Sequence, residues 1–166
     1  MLGAEGCWPP TYIATVEYGR EEFAENELGD SFFYLDPGIK VCRTRYGGVL
    51  LIKTTVTDEE LAVRLLTVAV PSSLRRLMKV LFCCGVNDLV PCINANVEKL
   101  SGFSASSLRV SERSGITRRF IRELLGVVGD RVSGNGSGGI LSVEPLEDSV
   151  CFARQVFSHI PHHDGL

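Results

Sequence analysis

The residues of this chain best suited to chemistry are arginines gathered around one short polar turn. Between Leu108 and Arg131 the sequence reads as a strand, a turn at Ser114-Gly115 and a helix that Thr117 can cap. The free N–H groups and the macrodipole at the start of a helix favour an anion. The predicted chemistry is phosphate binding, to which five arginines contribute: Arg109, Arg113, Arg118, Arg119 and Arg122.

A second basic group, Arg75, Arg76 and Lys79, would share one face if its segment were helical. Such contacts position a nucleic acid without reading its sequence, and the hydroxyls of Ser114 and Thr117 could assist them. Aromatic residues do not alternate with the basic residues. This argues against a surface on which the nucleobases of a single strand stack, and favours binding of a structured RNA. The plainer interpretation is an amphipathic helix with a solvated basic face.

Signs of catalysis are absent from the sequence. The glycine-rich stretch at residues 134–139 matches no nucleotide-binding loop, and no GxSxG elbow occurs. All three histidines, His159, His162 and His163, lie in the C-terminal tail, and no cysteine pair has zinc-ligand spacing. We therefore predict no enzymatic activity, no catalytic residue, no cofactor and no metal site.

Charge is distributed unevenly over the 166 residues, although the net charge is only −3. Residues 1–36 hold eight acids and one arginine, whereas residues 37–131 hold fifteen bases and eight acids. A local positive field is therefore possible on an acidic protein. No apolar run is long enough for a membrane span and no secretion signal is present, so we expect a cytoplasmic protein without membrane contact.

Six cysteines occur in the sequence. Disulfides are not expected in the cytoplasm, with hyperthermophiles as the exception. Cys83 and Cys84 lie in an apolar run and are expected to pack as small hydrophobic side chains.

Hydrophobic periodicity predicts an α+β chain. Its first part, residues 1–86, reads as strand, helix, strand, strand, helix, strand, which is the ferredoxin-like order. Thr57 and Glu60 form a capping-box pattern before the second helix. The predicted elements of this part are Tyr12–Glu17, Arg20–Leu28, a possible extra strand Ser31–Leu35, Ile39–Tyr46, Val49–Lys53, the helix after Thr57, and Arg75–Cys84.

The second part, residues 87–158, is predicted to hold a helix, the strand–turn–helix described above and two closing strands. A flexible tail at residues 159–166 follows. The additional predicted elements are the helix Leu89–Leu100 and the strands Ile140–Val143 and Ser149–Val156.

These patterns resemble the THUMP-domain proteins, in which a small ferredoxin-like domain precedes an α/β THUMP domain. The resemblance rests on Leu108-x-Val110 with Arg113 and Gly115, and on the helix from Thr117 to Gly129. It also rests on Leu141-x-Val143-x-Pro145 before Val150, and on the segment Val70–Leu77. It implies binding of RNA, usually tRNA near the acceptor stem and 3′ end.

Most THUMP relatives carry a catalytic domain, and this chain shows none. It is therefore similar to the stand-alone members, which are the tRNA-binding adaptor of the RNA cytidine acetyltransferase that makes N4-acetylcytidine. By position, the resemblance implies RNA contacts from eight residues: Arg75, Arg76, Lys79, Arg109, Arg113, Arg118, Arg119 and Arg122. The alternative is a protein–protein interaction module of an RNA-processing complex that docks through the acidic helix Arg20–Leu28.

Overall fold

The structure is a computed structural model that describes residues 6–67 and 71–159. The chain divides into two compact units, Met1–Lys79 with Val156–Leu166, and Val80–Gln155. These units are defined by packing alone, so the domain limits at residues 86 and 158 remain a prediction. Within the described ranges, every helix is too short or too polar to span a membrane.

The first unit alternates strands and helices in the predicted order. It contains β1 (Tyr12–Val16), α1 (Glu21–Phe32), β2 (Lys40–Arg43), β3 (Val49–Lys53), α2 (Asp58–Thr67) and the beginning of β4 (Leu74–Gly85). Its strands are ordered β2-β3-β1-β4, and the pairs β2/β3, β1/β3 and β1/β4 are antiparallel. The fold is therefore of the mixed α/β class.

Helix α1 is longer than predicted, and the expected strand Ser31–Leu35 is wrong. The helix continues through Gly29-Asp30, which the sequence suggested as its end. Ala24, Leu28 and Phe32 follow one another at four-residue spacing and are all buried in the core of this unit. Burial of Phe32 on the same helical face therefore outweighs the weak local stop signal.

Local capping signals are confirmed at the start of α2. The Thr57 N–H donates to Glu60 Oε1 at 3.0 Å, and the Glu60 N–H donates to Thr57 Oγ1 at 3.2 Å. This reciprocal pair is the predicted capping box, which satisfies two N–H groups that have no partner inside the helix.

Glu27 ties α1 to the start of β4. Its carboxylate accepts hydrogen bonds from the N–H and hydroxyl groups of Ser72 and Ser73, at 2.8–3.2 Å. Burial would raise the pKa of this carboxyl, but the bonds from Ser73 and Ser72 outweigh it and hold the pKa below 4.5. The ionised form of Glu27 is therefore stabilised by folding.

Acid is expected to remove the stabilisation that Glu27 provides. Because the folded-state pKa is lowered, this contribution is present above pH 4.5 and is lost as the pH falls through the folded-state pKa. Urea unfolding of the native protein should thus depend more steeply on pH below that value than unfolding of Glu27→Gln. Glu22→Gln, at an exposed position of the same helix, should keep the native slope. Equal slopes for all three proteins would contradict the assignment.

The second unit begins with the remainder of β4, which is followed along the chain by a helix, a strand–turn–helix and a hairpin. Its helices are α3 (Leu89–Ala95) and α4 (Arg118–Gly129), and its strands are β5 (Leu108–Val110), β6 (Leu141–Leu146) and most of β7 (Ser149–Ser158). The strand order is β4-β7-β6-β5, with β5 parallel and β7 antiparallel to β6. Leu124 and Val128 of α4 pack on Val143 and Phe152 in the core.

The predicted helix Leu89–Leu100 is interrupted. Helix α3 ends at Ala95, and a separate 3₁₀ turn covers Val97–Leu100. Asn96 separates them, because its backbone lies outside the helical region with φ −115° and ψ 15°. Its amide also donates to the Cys92 carbonyl at 2.8 Å, an alternative to the helical hydrogen-bond pattern.

All six cysteines are paired, so the expectation that disulfides would be absent is wrong. Cys7 joins Cys42 in the first unit, and Cys83–Cys151 and Cys84–Cys92 lie in the second. Cys83 and Cys84 are not a pair of inert hydrophobic side chains: neighbouring residues of a strand point to opposite faces, so each meets a different partner. These pairings depend on topology, which brings together Cα atoms 35 and 68 residues apart in the two longer bridges.

Candidate nucleic-acid interface

Helix α4 presents a basic face because its apolar residues recur at helical spacing. Ile121, Leu124 and Val128 are buried, which leaves the arginines of the first turns on the exposed side. The predicted cap is confirmed: Thr117 Oγ1 accepts a hydrogen bond from the Phe120 N–H at 3.1 Å. The exposed arginines of this helix are Arg118, Arg119 and Arg122.

Two of these arginines carry uncompensated charge. Arg118 and Arg122 lie one turn apart on the same side of α4, and no ion pair engages either of them within the described residues. Arg119 differs, because its Nε lies 3.3 Å from Glu123 Oε1, with both side chains largely exposed. An exposed pair of this kind contributes little to stability, but the negative charge of Glu123 offsets the positive charge that Arg119 offers to an anion.

Arg109 lies on a different face from the basic side of α4. Its neighbours Leu108 and Val110 pack into the core against α4, and side chains alternate along a strand. Arg109 is therefore on the opposite face of the β5–β6 pair, where it is exposed. The structure does not bring the five arginines of the sequence prediction to one point.

Arg113 is held inside the second unit. Its Nη2 lies 2.6 Å from Glu144 Oε1, and the side chains of the two residues are 5% and 0% exposed. The second carboxylate oxygen of Glu144 accepts hydrogen bonds from the hydroxyls of Ser111, at 2.6 Å, and Ser142. Arg113 is thus engaged by protein, while Ser114 at the tip of the same turn is exposed.

Two basic residues of β4 in the first unit, Arg75 and Lys79, lie close to acids. Arg75 and Arg76 are consecutive in a strand and point to opposite faces, so the shared helical face considered above does not exist. Arg75 Nη2 lies 4.0 Å from Glu17 Oε2, and Lys79 Nζ lies 3.8 Å from Asp58 Oδ1 and 4.9 Å from the centre of the Tyr12 ring. A role for Arg75, Arg76 and Lys79 in RNA binding remains a prediction.

Acidic residues of α1 are used largely within the first unit. Glu21 accepts the Gly48 N–H at 2.7 Å, and Glu25 pairs with Arg43 at 3.0 Å. A hydrogen bond from its own backbone N–H lowers the pKa of the Glu21 carboxyl, assisted by the bond from Gly48. Together with Glu27, these contacts leave Glu22 and Asp30 as the exposed acids of α1, and Glu22 lines a shallow groove with Phe23 and Asn26.

Sequence reasoning missed Glu144, the most deeply buried charged residue described. The one available signal was its place in Leu141–Pro145, where Ser142 and Glu144 alternate with apolar residues on a strand. That pattern resembles an exposed polar face, whereas both side chains are fully buried. Residues 6–67 and 71–159 contain no cluster suited to a metal ion, and His162 and His163 lie outside the described residues.

Three solved structures share the fold of this chain at low sequence identity. TrmN from Thermus thermophilus matches 89% of this chain and 46% of its own length, with a TM-score of 0.56 and 14% identity. A predicted N6-adenine-specific DNA methylase from Listeria monocytogenes str. 4b F2365 matches 88% of this chain and 40% of its own, with a TM-score of 0.50 and 14% identity. PH1313 from Pyrococcus horikoshii Ot3 matches 89% of this chain and 55% of its own length, with a TM-score of 0.54 and 12% identity.

This chain therefore spans about half the length of the structures that it matches. At identities of 12–14%, the likeness shows a common fold and transfers no activity. Comparison with protein-family models and with curated protein sequences gave no match.

Proposed function

We propose that this chain is a non-catalytic RNA-binding module that presents tRNA to a modifying enzyme. The observation that carries the proposal is the pair Arg118 and Arg122, exposed one turn apart on α4 and without an ion pair among the described residues. Arg109 adds a further exposed cation in the same unit. Arginine is well suited to phosphate, because its planar guanidinium can donate two parallel hydrogen bonds.

The choice of tRNA rests on two independent likenesses. The sequence resembles THUMP proteins that follow a ferredoxin-like domain, and the strand order of the first unit agrees with that domain. The fold is also shared with about half of TrmN. An RNA cytidine acetyltransferase is the partner that the resemblance to stand-alone THUMP members favours.

A cytoplasmic location is part of the proposal, as the compartment in which this chain would meet tRNA and its enzyme partner. Three disulfides are compatible with such a location in hyperthermophiles, whose intracellular proteins are rich in disulfides. The modifying chemistry belongs to the enzyme partner, and the role of this chain is electrostatic capture and recognition of RNA shape.

Binding of the purified protein to fluorescently labelled tRNA, across a salt series, tests the proposal. We expect affinity for tRNA to exceed affinity for duplex DNA of equal charge, and to fall by roughly 0.7–0.9 log units per phosphate contact for each tenfold rise in salt. Equal affinity for tRNA and DNA would mean that the basic face binds nucleic acids non-specifically. Absence of binding at low salt would overturn the function.

The interaction-module alternative keeps one supporting observation. Tyr18 is 83% exposed and Phe23 45% exposed beside the start of α1, and exposed aromatic residues are common anchors of protein interfaces. Because Glu21, Glu25 and Glu27 are engaged within the unit, this surface is aromatic more than acidic. An adaptor that binds an enzyme as well as tRNA would use both surfaces.

A further inference from the structure

We propose that Glu144 is a positioning residue, which fixes Arg113 and with it the turn from Ser111 to Thr117 in the geometry that receives RNA. This inference rests on the proposed function and deepens it. It assigns Arg113 a role different from the direct phosphate contact that its position in the sequence suggests. Neither residue is expected to touch RNA.

The contacts of Glu144 account for both of its carboxylate oxygens. Oε1 accepts from Arg113 Nη2 at 2.6 Å, and Oε2 accepts from the Ser111 hydroxyl at 2.6 Å and from Ser142. Ser111 and Arg113 belong to the turn, whereas Ser142 and Glu144 belong to β6. One buried carboxylate thus joins two residues at the beginning of the turn to β6, whose residues are all buried.

Backbone geometry extends this attachment to the tip of the turn. The Ile116 N–H donates to the Arg113 carbonyl at 3.0 Å, and Gly115 adopts a φ of +85° that side chains rarely tolerate. Arg113 therefore closes the turn with its backbone while its side chain is held by Glu144. Thr117 follows directly and caps α4, so the position of Arg118 depends on the same arrangement.

Stability alone gives a weak reason for a buried ion pair at this place. Desolvation of two charges costs as much as their attraction returns, and a hydrophobic pair of similar size is often neutral or stabilising. The charged pair instead gives the turn a defined geometry, because a carboxylate that accepts from three fixed donors permits only one placement of the turn. A rigid turn reduces the entropy that RNA binding must otherwise overcome.

A double-mutant cycle separates positioning from direct contact. The variants are Arg113→Met, Glu144→Gln and the combination of the two, which leaves no unpaired buried charge if a single variant folds poorly. We expect each to weaken tRNA binding by about tenfold, with the combined variant no weaker than either single one, because both residues act through one turn. The slope of affinity against salt should stay native. Glu147→Gln, an exposed position in the β6–β7 turn, is the matched control.

Hydrogen exchange of the Ile116 amide gives a readout that does not depend on RNA. We expect exchange in the combined variant to be about tenfold faster than in the native protein or the Glu147→Gln control. A direct phosphate contact would instead lower the salt slope by about one in Arg113→Met and leave Glu144→Gln native, which would overturn the inference. Native tRNA affinity or native Ile116 exchange in the combined variant would overturn it as well. If the native protein binds no tRNA, the proposed function fails, and Ile116 exchange alone decides whether Glu144 fixes the turn.

Discussion

Replacing both Cys83 and Cys151 by alanine is expected to lower the free energy of unfolding by about 4 kcal/mol, the loss of loop-closure entropy for a bridge across 68 residues. The bridge joins β4 to β7 inside the second unit, where Cys151 is fully buried. A crosslink of this length removes many conformations from the unfolded chain, and the native contacts gain relative stability as a result. Guanidinium unfolding followed by far-ultraviolet circular dichroism measures the difference.

The neighbouring bridge is the matched control. Cys84 and Cys92 are separated by only 8 residues, so their replacement by alanine should cost about 2.5 kcal/mol by the same loop-entropy relation. Both variants remove two cysteines from the same unit, and they differ mainly in the length of the loop. Equal losses would mean that packing, and not chain entropy, dominates the effect. If neither the alanine replacements nor added reductant change the free energy of unfolding, the thiols are not paired in solution.

Signals that act within one helical turn could be predicted from the sequence. The caps at Thr57 and Thr117 involve donors only three residues away, so their geometry is fixed as soon as the helix forms. The two strands of the β6–β7 hairpin were predicted at Ile140–Val143 and Ser149–Val156 from their apolar residues, but β6 continues through Glu144 to Leu146, which the sequence suggested as the connecting loop. Local consistency of this kind explains why the order of elements was recovered.

Contacts between residues far apart in the sequence could not be predicted from the sequence. Glu144 lies 31 residues from Arg113, and Glu27 lies 45 residues from Ser72, so only the completed topology shows that these charges are buried or shared. The same limit explains the missed disulfides. Burial also reversed a local signal in α1, where Phe32 extends the helix through a glycine.

Counting basic residues likewise gave an incomplete description of the candidate site. The sequence shows every arginine but not its partner, and Arg75 and Lys79 have acidic neighbours from elsewhere in their unit. What distinguishes α4 is therefore not the number of its cations but the lack of compensating acids beside Arg118 and Arg122 within the described residues. Electrostatic attraction for a polyanion depends on this difference.

Replacing Arg118 and Arg122 together by glutamine is expected to weaken tRNA binding about thirtyfold, as two charge-assisted contacts worth roughly 1 kcal/mol each would predict. Loss of two phosphate contacts should also lower the slope of log affinity against log salt by about two. The fold should persist, because both side chains are exposed and the buried face of α4 is unchanged. Fluorescence anisotropy with labelled tRNA at several salt concentrations measures both quantities.

A variant with the same change in net charge separates a local contact from a general effect of charge. Arg20→Gln with Arg43→Gln removes two cations from the first unit, and each of them already has an acidic neighbour, Glu17 at 3.7 Å and Glu25 at 3.0 Å. We expect this control to keep the native salt slope, because cations that already have an acidic partner neutralise few phosphates and displace few counterions from the RNA. If both double variants lose the same affinity and slope, the net charge of the protein governs binding and α4 is not the interface. If only Arg118→Gln with Arg122→Gln loses them, the uncompensated face of α4 is where the RNA backbone lies.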